Sequence, residues 1–202
     1  LNPINLIAQT PKWGVFALVG YIPDPLGCVL LELRQALPEE DNPQPHITVL
    51  PPRPLKLPVD AASKWAREVL RRFSAFDVEL STVSCFSGTN LLYLEVGGGS
   101  SRLHDLHNAL NTGALEYAEE LEFRPHLTLG GPVTAENIEE VQGQVEAAWR
   151  EVACPRRFTL DEIVCLWLGP DGSPSKWRRL WSHRLRPEDV PVMRRTASTV
   201  TS

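Results

Sequence analysis

From Trp13 to Ile22 (WGVFALVGYI) the chain is apolar almost without a break, between Pro11 and Pro23. That length, with its β-branched and aromatic residues, predicts a buried strand. Leu26 to Leu37 predicts a helix ended by Pro38. His46 to Leu50 is a short strand between Pro45 and Pro51. Pro58 to Phe73 reads as a helix, with Trp65, Val69 and Phe73 on one face. Phe76 to Cys85 alternates like a strand, and Leu91 to Val96 is another. Ser87-Gly88-Thr89-Asn90 between them signals a hairpin turn. Ser100 to Leu110 is a helix with Leu103, Leu106 and Leu110 in register. His126 to Leu129 is a short strand between Pro125 and Gly130. Thr134 suits the N-cap of a helix reaching about Val152, with Ile138, Val141, Val145 and Trp149 buried. Phe158 to Leu168 and Trp177 to Leu185 read as strands joined by a Gly-Pro-Asp-Gly turn.

The order strand, helix, strand, helix, strand occurs twice. It runs from Trp13 to Cys85 and again from Leu91 to Leu168. First strands, histidine strands and second helices are offset by 78, 80 and 76 residues. Such agreement predicts an α+β fold of two duplicated antiparallel-sheet lobes around a central cleft, related by a pseudo-two-fold axis. The expected domain covers residues 1–186, closed by the strand 177–185. Residues 187–202 lose apolar periodicity and read as a loose tail.

Composition narrows the function classes. The 202 residues are 43% hydrophobic and 22% charged, which suits a globular chain rather than a disordered one. A net charge of −5 argues against a protein that coats duplex nucleic acid, yet permits a small anion in a local positive pocket. Proline is abundant, 18 in all, and punctuates the apolar runs. Cys28, Cys85, Cys154 and Cys165 have no zinc-ligand spacing, so four reduced thiols are expected, with one disulfide as the alternative. No apolar stretch reaches membrane-span length, and the start lacks a signal-peptide pattern. A cytoplasmic monomer is the expectation.

The two short strands carry the chemistry. His46-Ile47-Thr48-Val49 and His126-Leu127-Thr128-Leu129 share one pattern, each preceded by proline. In a strand, residues i and i+2 point the same way. Each strand therefore offers one imidazole and one hydroxyl above an aliphatic base. Two half-buried structural histidines are the bland alternative. Hydrolysis of a phosphodiester needs a base to activate water and an acid to protonate the leaving alkoxide. Two imidazoles can divide those tasks near neutral pH. The threonines can donate to the non-bridging phosphate oxygens, where charge grows. This scheme calls for neither a metal nor another cofactor.

Paired motifs of this type, in PHITVLPPR (45–53) and FRPHLTLGG (123–131), resemble the 2H phosphoesterase superfamily. The resemblance is nearest to the 2′-5′ RNA ligase-like branch, also called RNA 2′,3′-cyclic phosphodiesterases, and covers roughly Trp13 to Leu185. It implies a bilobal fold with His46, Thr48, His126 and Thr128 lining the cleft. It also implies metal-independent opening of a 2′,3′-cyclic phosphate on an RNA end or nucleotide, with one histidine as base and the other as acid. ATP-independent 2′-5′ ligation would be the reverse reaction. One departure stands out. Many members of the branch carry a basic residue shortly after the second motif, where this chain has Gly130-Gly131. Arg53 and Arg124 are the substitute phosphate-binding candidates, against the plainer reading of solvated arginines. The departure keeps two other readings open: a non-catalytic binder of phosphorylated ligands, and a phosphodiesterase for a non-RNA small molecule.

Other features are weaker. Lys176 to Arg186 has five basic residues and no acidic one. Read as a regular strand, it puts Trp177, Arg179, Trp181 and His183 on one face, suited to gripping a single strand or to packing a core. Glu116 to Glu151 is strongly acidic and reads as a solvated surface. His104 and His107 lack a third metal ligand and read as structural. Gly97-Gly98-Gly99 reads as a turn rather than a phosphate cradle.

Overall fold

The computed structural model describes residues 11–35, 37, 44–170 and 177–187. Eight strands are present among them: β1 (Val15–Tyr21), β2 (His46–Pro54), β3 (Phe76–Cys85), β4 (Leu92–Val96), β5 (His126–Gly130), β6 (Arg157–Leu160), β7 (Glu162–Leu168) and β8 (Arg178–Arg184). Four helices accompany them: α1 (Leu26–Arg34), α2 (Val59–Leu70), α3 (Ser100–Leu110) and α4 (Ile138–Arg150). None of these helices is long and apolar enough to cross a membrane.

The strands form two four-stranded antiparallel sheets, ordered β2-β1-β7-β8 and β5-β4-β3-β6. The expected α+β fold with two antiparallel-sheet lobes is therefore present. Position by position, β2, β1, β7 and β8 correspond to β5, β4, β3 and β6. Each sheet, however, draws strands from both halves of the chain. β3 leaves the first half to pair with β4 and β6, and β7 returns from the second half to pair with β1.

This exchange corrects one expected element. Phe158 to Leu168 is not one strand but two, broken at Asp161, with β6 in one sheet and β7 in the other. The apolar pattern runs through the break because both pieces are buried on the same core. Helix α4 also begins a turn later than expected. The Thr134 carbonyl accepts the Asn137 N–H in a tight turn that delays the helix to Ile138. Of the four residues expected on its buried face, Val145 and Trp149 are buried while Ile138 and Val141 are only partly so, and the Trp149 indole donates to the Ser81 carbonyl at 2.6 Å, seating α4 on β3. The β3–β4 hairpin turns where expected, with Asn90 at φ 52° and its N–H bonded to the Phe86 carbonyl. The four cysteines are free. The expected tail beyond Pro187, Pro38 and half of the Gly-Pro-Asp-Gly turn lie outside the described residues.

One hydrophobic cluster joins both sheets and the helices, from Phe16, Leu18 and Ile47 to Leu94, Leu127 and Leu160. Gly20 on β1 is part of that contact. A Cβ there would stand 2.2 Å from the Leu160 Cδ1 of the other sheet. Neither sheet can complete its hydrogen-bond ladder without the other half of the chain. A chain ending after Gly88 should therefore stay unfolded, with collapsed amide dispersion in NMR, and should regain dispersion when the complementary half is added. A well-dispersed spectrum from the first half alone would contradict the shared-sheet account.

Candidate active site

Strands β2 and β5 are in direct contact, although they belong to different sheets. Their burial patterns match: His46 and Thr48 are partly exposed over buried Ile47 and Val49, as His126 and Thr128 are over Leu127 and Leu129. The aliphatic pairs face the core, so the imidazoles and hydroxyls turn to the other side. His46 and His126 are close enough that a charge on His126 acts on His46.

The two imidazoles are held in the same way. His46 Nδ1 lies 2.8 Å from the Gln44 carbonyl oxygen, and His126 Nδ1 lies 2.7 Å from the Arg124 carbonyl oxygen. A carbonyl can only accept, so Nδ1 carries the proton in both rings. Nε2 is left to meet a ligand, as a base when the ring is neutral and as a donor when it is charged. The prolines take part. A residue before proline is confined to extended backbone, which fixes the carbonyls of Gln44 and Arg124. Burial is the main force lowering both imidazole pKa values below the ordinary 6.5; each backbone carbonyl opposes it.

Aromatic rings hold the histidines from the side. Tyr21, opposite His46 in the β1–β2 register, meets it edge-on at 6.1 Å. Phe86 and Tyr93 stack on each other at 4.1 Å, and both meet His126 edge-on, at 4.9 and 5.4 Å.

The two candidate arginines part company. Arg124 is exposed, lies over the Tyr93 ring at 5.2 Å, and pairs with Glu95 at 2.5 Å. Glu95 stands opposite His126 in the β4–β5 register and also accepts from Thr82 and Ser84. Arg124 is therefore beside the second motif. Arg53 is not beside the first, and the expected phosphate-binding role does not fit it. Irregular pairing places Arg53 opposite Phe16, on the core side of the sheet, where it is 1% exposed. Its guanidinium bonds Asn111 Oδ1 at 2.6 Å, the Leu115 carbonyl at 3.0 Å and the Glu119 carboxylate. Glu119 in turn meets His107 Nε2 at 2.9 Å, and His107 stacks on Phe123 at 3.9 Å. The network anchors the chain between α3 and β5, and His107 is structural, as expected.

Arg34, at the end of α1, was not among the candidates the sequence suggested. It is 2% exposed, and its Nη2 donates to the Thr128 carbonyl at 2.5 Å. Its charge also bears on His46. One buried arginine thus lies between the two motifs. Its only sequence signal is a cation at a buried helical position, three residues before the expected helix end.

A family model described as the 2′-5′ RNA ligase superfamily matches residues 24–172, which include both motifs. The chain belongs to that superfamily. Proteins with similar sequences include one from Staphylococcus haemolyticus (strain JCSC1435), named "Putative phosphoesterase SH1944". It is 30% identical over 128 residues, covering 63% of this chain and 72% of that protein. A Staphylococcus aureus (strain Newman) protein named "Putative phosphoesterase" is 25% identical over 144 residues, covering 70% and 81%. Among solved structures, TT0787 of Thermus thermophilus superposes with a TM-score of 0.59, at 17% identity, over 86% of this chain and 99% of that one. Escherichia coli LigT complexed with phosphate gives 0.55, at 13% identity, over 86% and 98%. These likenesses carry the fold.

Arg53→Ala should leave the Glu119 charge and the Asn111 amide without their buried partner. The expected loss is about 3 kcal/mol of stability, read from urea denaturation midpoints. A variant as stable as the parent would refute the anchoring role.

Proposed function

We propose that this protein hydrolyses the 2′,3′-cyclic phosphate of an RNA end or nucleotide to a phosphomonoester, by two-histidine acid/base catalysis. The observation that supports this best is the pair of matched imidazoles, each with Nδ1 committed to a backbone carbonyl and Nε2 left for chemistry. In the working state one ring is neutral and the other is an imidazolium. The neutral Nε2 takes a proton from water as the water oxygen bonds to phosphorus. The imidazolium Nε2–H gives its proton to the ring oxygen as the P–O bond breaks. Thr48 and Thr128 hydroxyls donate to the non-bridging oxygens, and Arg124 adds positive charge nearby. A 5′-hydroxyl of a second RNA in place of water would give ligation by the same proton transfers.

A second reading, retention of a phosphorylated ligand without turnover, is favoured by one observation. Glu95 faces the same strand edge as His126 and already engages Arg124, where a phosphate would need it. This reading expects a ligand-dependent rise in Tm with no product.

A panel of 2′,3′-cyclic nucleotides, cyclic-ended RNA and other cyclic phosphates, with products read by phosphorus NMR, separates the readings. His46→Ala and His126→Ala should each lower turnover by about 10²-fold or more without changing the circular dichroism spectrum. Hydrolysis undiminished in the double variant would falsify the two-histidine mechanism.

The pH profile carries a sign. The base must be neutral and the acid charged, and burial lowers both pKa values. The kcat/KM of the free enzyme should therefore peak below about pH 6.5 and fall above it, as the acid loses its proton. A bound phosphate anion favours the imidazolium, so the kcat profile should sit at higher pH than that of kcat/KM. A kcat/KM plateau extending well above neutrality would count against a histidine acid.

A further inference from the structure

Outside the histidine site, a groove of about 490 Å³ lies between α2 and β8. Lys64, Arg67 and Arg71 form one wall, and Leu180 and Trp181 the other. Asp60 and Glu68 also line it, yet neither is within ion-pair distance of the three cations. The Arg67 guanidinium lies over the Trp181 ring at 4.8 Å. Arg67 and Arg71 also both act on His183, two residues along β8.

β8 is an edge strand, and its register is broken. Cys165 pairs with Trp181, whereas the next residue of β7, Leu166, pairs with Arg179, so Leu180 is the extra residue of a bulge. This corrects the expectation that Trp177, Arg179, Trp181 and His183 share one face. The bulge sends Trp181 to the core and groove side, against Phe16 and Arg67. It sends Arg179 to the opposite side, where its charge acts on Tyr21, the ring beside His46. Arg179, which also pairs with Glu162 at 3.5 Å, thus stands on the first-motif face of the same edge strand whose Trp181 lines the groove. The crossing from β2 to β8 is three strand spacings, about 14 Å. That is too far for a mononucleotide held at His46 and within reach of an oligomer.

We propose that the α2–β8 groove, with Lys64, Arg67, Arg71 and Trp181, binds the phosphate backbone and a base of a single-stranded RNA whose end occupies the histidine site. This rests on the phosphodiesterase reading and makes the preferred substrate an oligomer. Cations outside ion-pair distance of the neighbouring carboxylates, beside a half-buried tryptophan that lines the groove, are elements that hold single strands, by phosphate contact and stacking. The family match ends at residue 172, before β8 begins, so this wall lies beyond the matched segment.

The test uses the full chain and a labelled short single-stranded RNA ending in a 3′-hydroxyl, which reports binding without chemistry. Lys64 and Arg71 are exposed. The Lys64→Gln/Arg71→Gln variant should keep its Tm and its turnover of a 2′,3′-cyclic mononucleotide. Its RNA affinity should fall about tenfold, and the slope of log Kd against log salt should fall by about 1.4, or about 0.7 for each phosphate no longer neutralised. The charge-conserving Lys64→Arg/Arg71→Lys variant should restore both. Unchanged RNA affinity in the Gln variant overturns the groove. Displacement of the RNA by an acidic peptide at equal or lower concentration overturns RNA as its occupant. If the parent binds RNA through the groove yet turns over no cyclic phosphate, the groove stands and the phosphodiesterase reading fails.

Discussion

The hydrogen bond from each motif imidazole to the carbonyl two residues before it is the constraint on which the site depends. Without it, a half-buried histidine could present either nitrogen or rotate away. With it, both rings take the same tautomer and aim Nε2 outward. The bond in turn depends on Pro45 and Pro125, which confine the preceding residue, and on Ile47, Val49, Leu127 and Leu129, which are fully buried and fix which side of the strand faces out. Two strands with the same short solution, brought together from two sheets, present two imidazoles in matched backbone settings.

The surrounding charges refine that symmetry. Arg34 lies between the motifs, bonded to the Thr128 carbonyl and near His46. Arg124 and Glu95 flank His126 alone. The two histidines therefore meet different neighbours, though their backbone settings match. That inequality can bias which ring holds the proton, because nearby charge acts on a titration as directly as burial does.

Much of this was legible in the chain. Most strand and helix positions, the hairpin at Ser87 to Asn90 and the paired motifs follow from local pattern, since periodicity and turn chemistry act over a few residues; β2, expected to stop at Leu50, instead runs on through the prolines to Pro54. What was not legible depends on pairing between distant segments. Nothing local at Asp161 says that β6 and β7 part for different sheets. Arg53 looks solvated because it follows two prolines, yet irregular pairing with β1 turns it inward to Glu119, which is 66 residues away. The bulge at Leu180 likewise belongs to the match between β7 and β8 and not to β8 itself. Arg34 is a charged residue on an apolar helix, and only the fold supplies the carbonyl it meets.

The crossing of β3 and β7 between sheets has a mechanical consequence. Two lobes joined by a single linker could swing apart and close on a ligand. Here each half of the chain contributes strands to both sheets, and one core is continuous across both. Every ladder lies within one sheet, so separating β2 from β5 would leave the ladders intact, but it would open that core and pull on the chain crossings between the sheets. The distance between the imidazoles is thus a fixed dimension of the folded chain, set like the jaw width of a gauge. Whatever lies between the imidazoles must match that gap, since the continuous core resists bending to meet it.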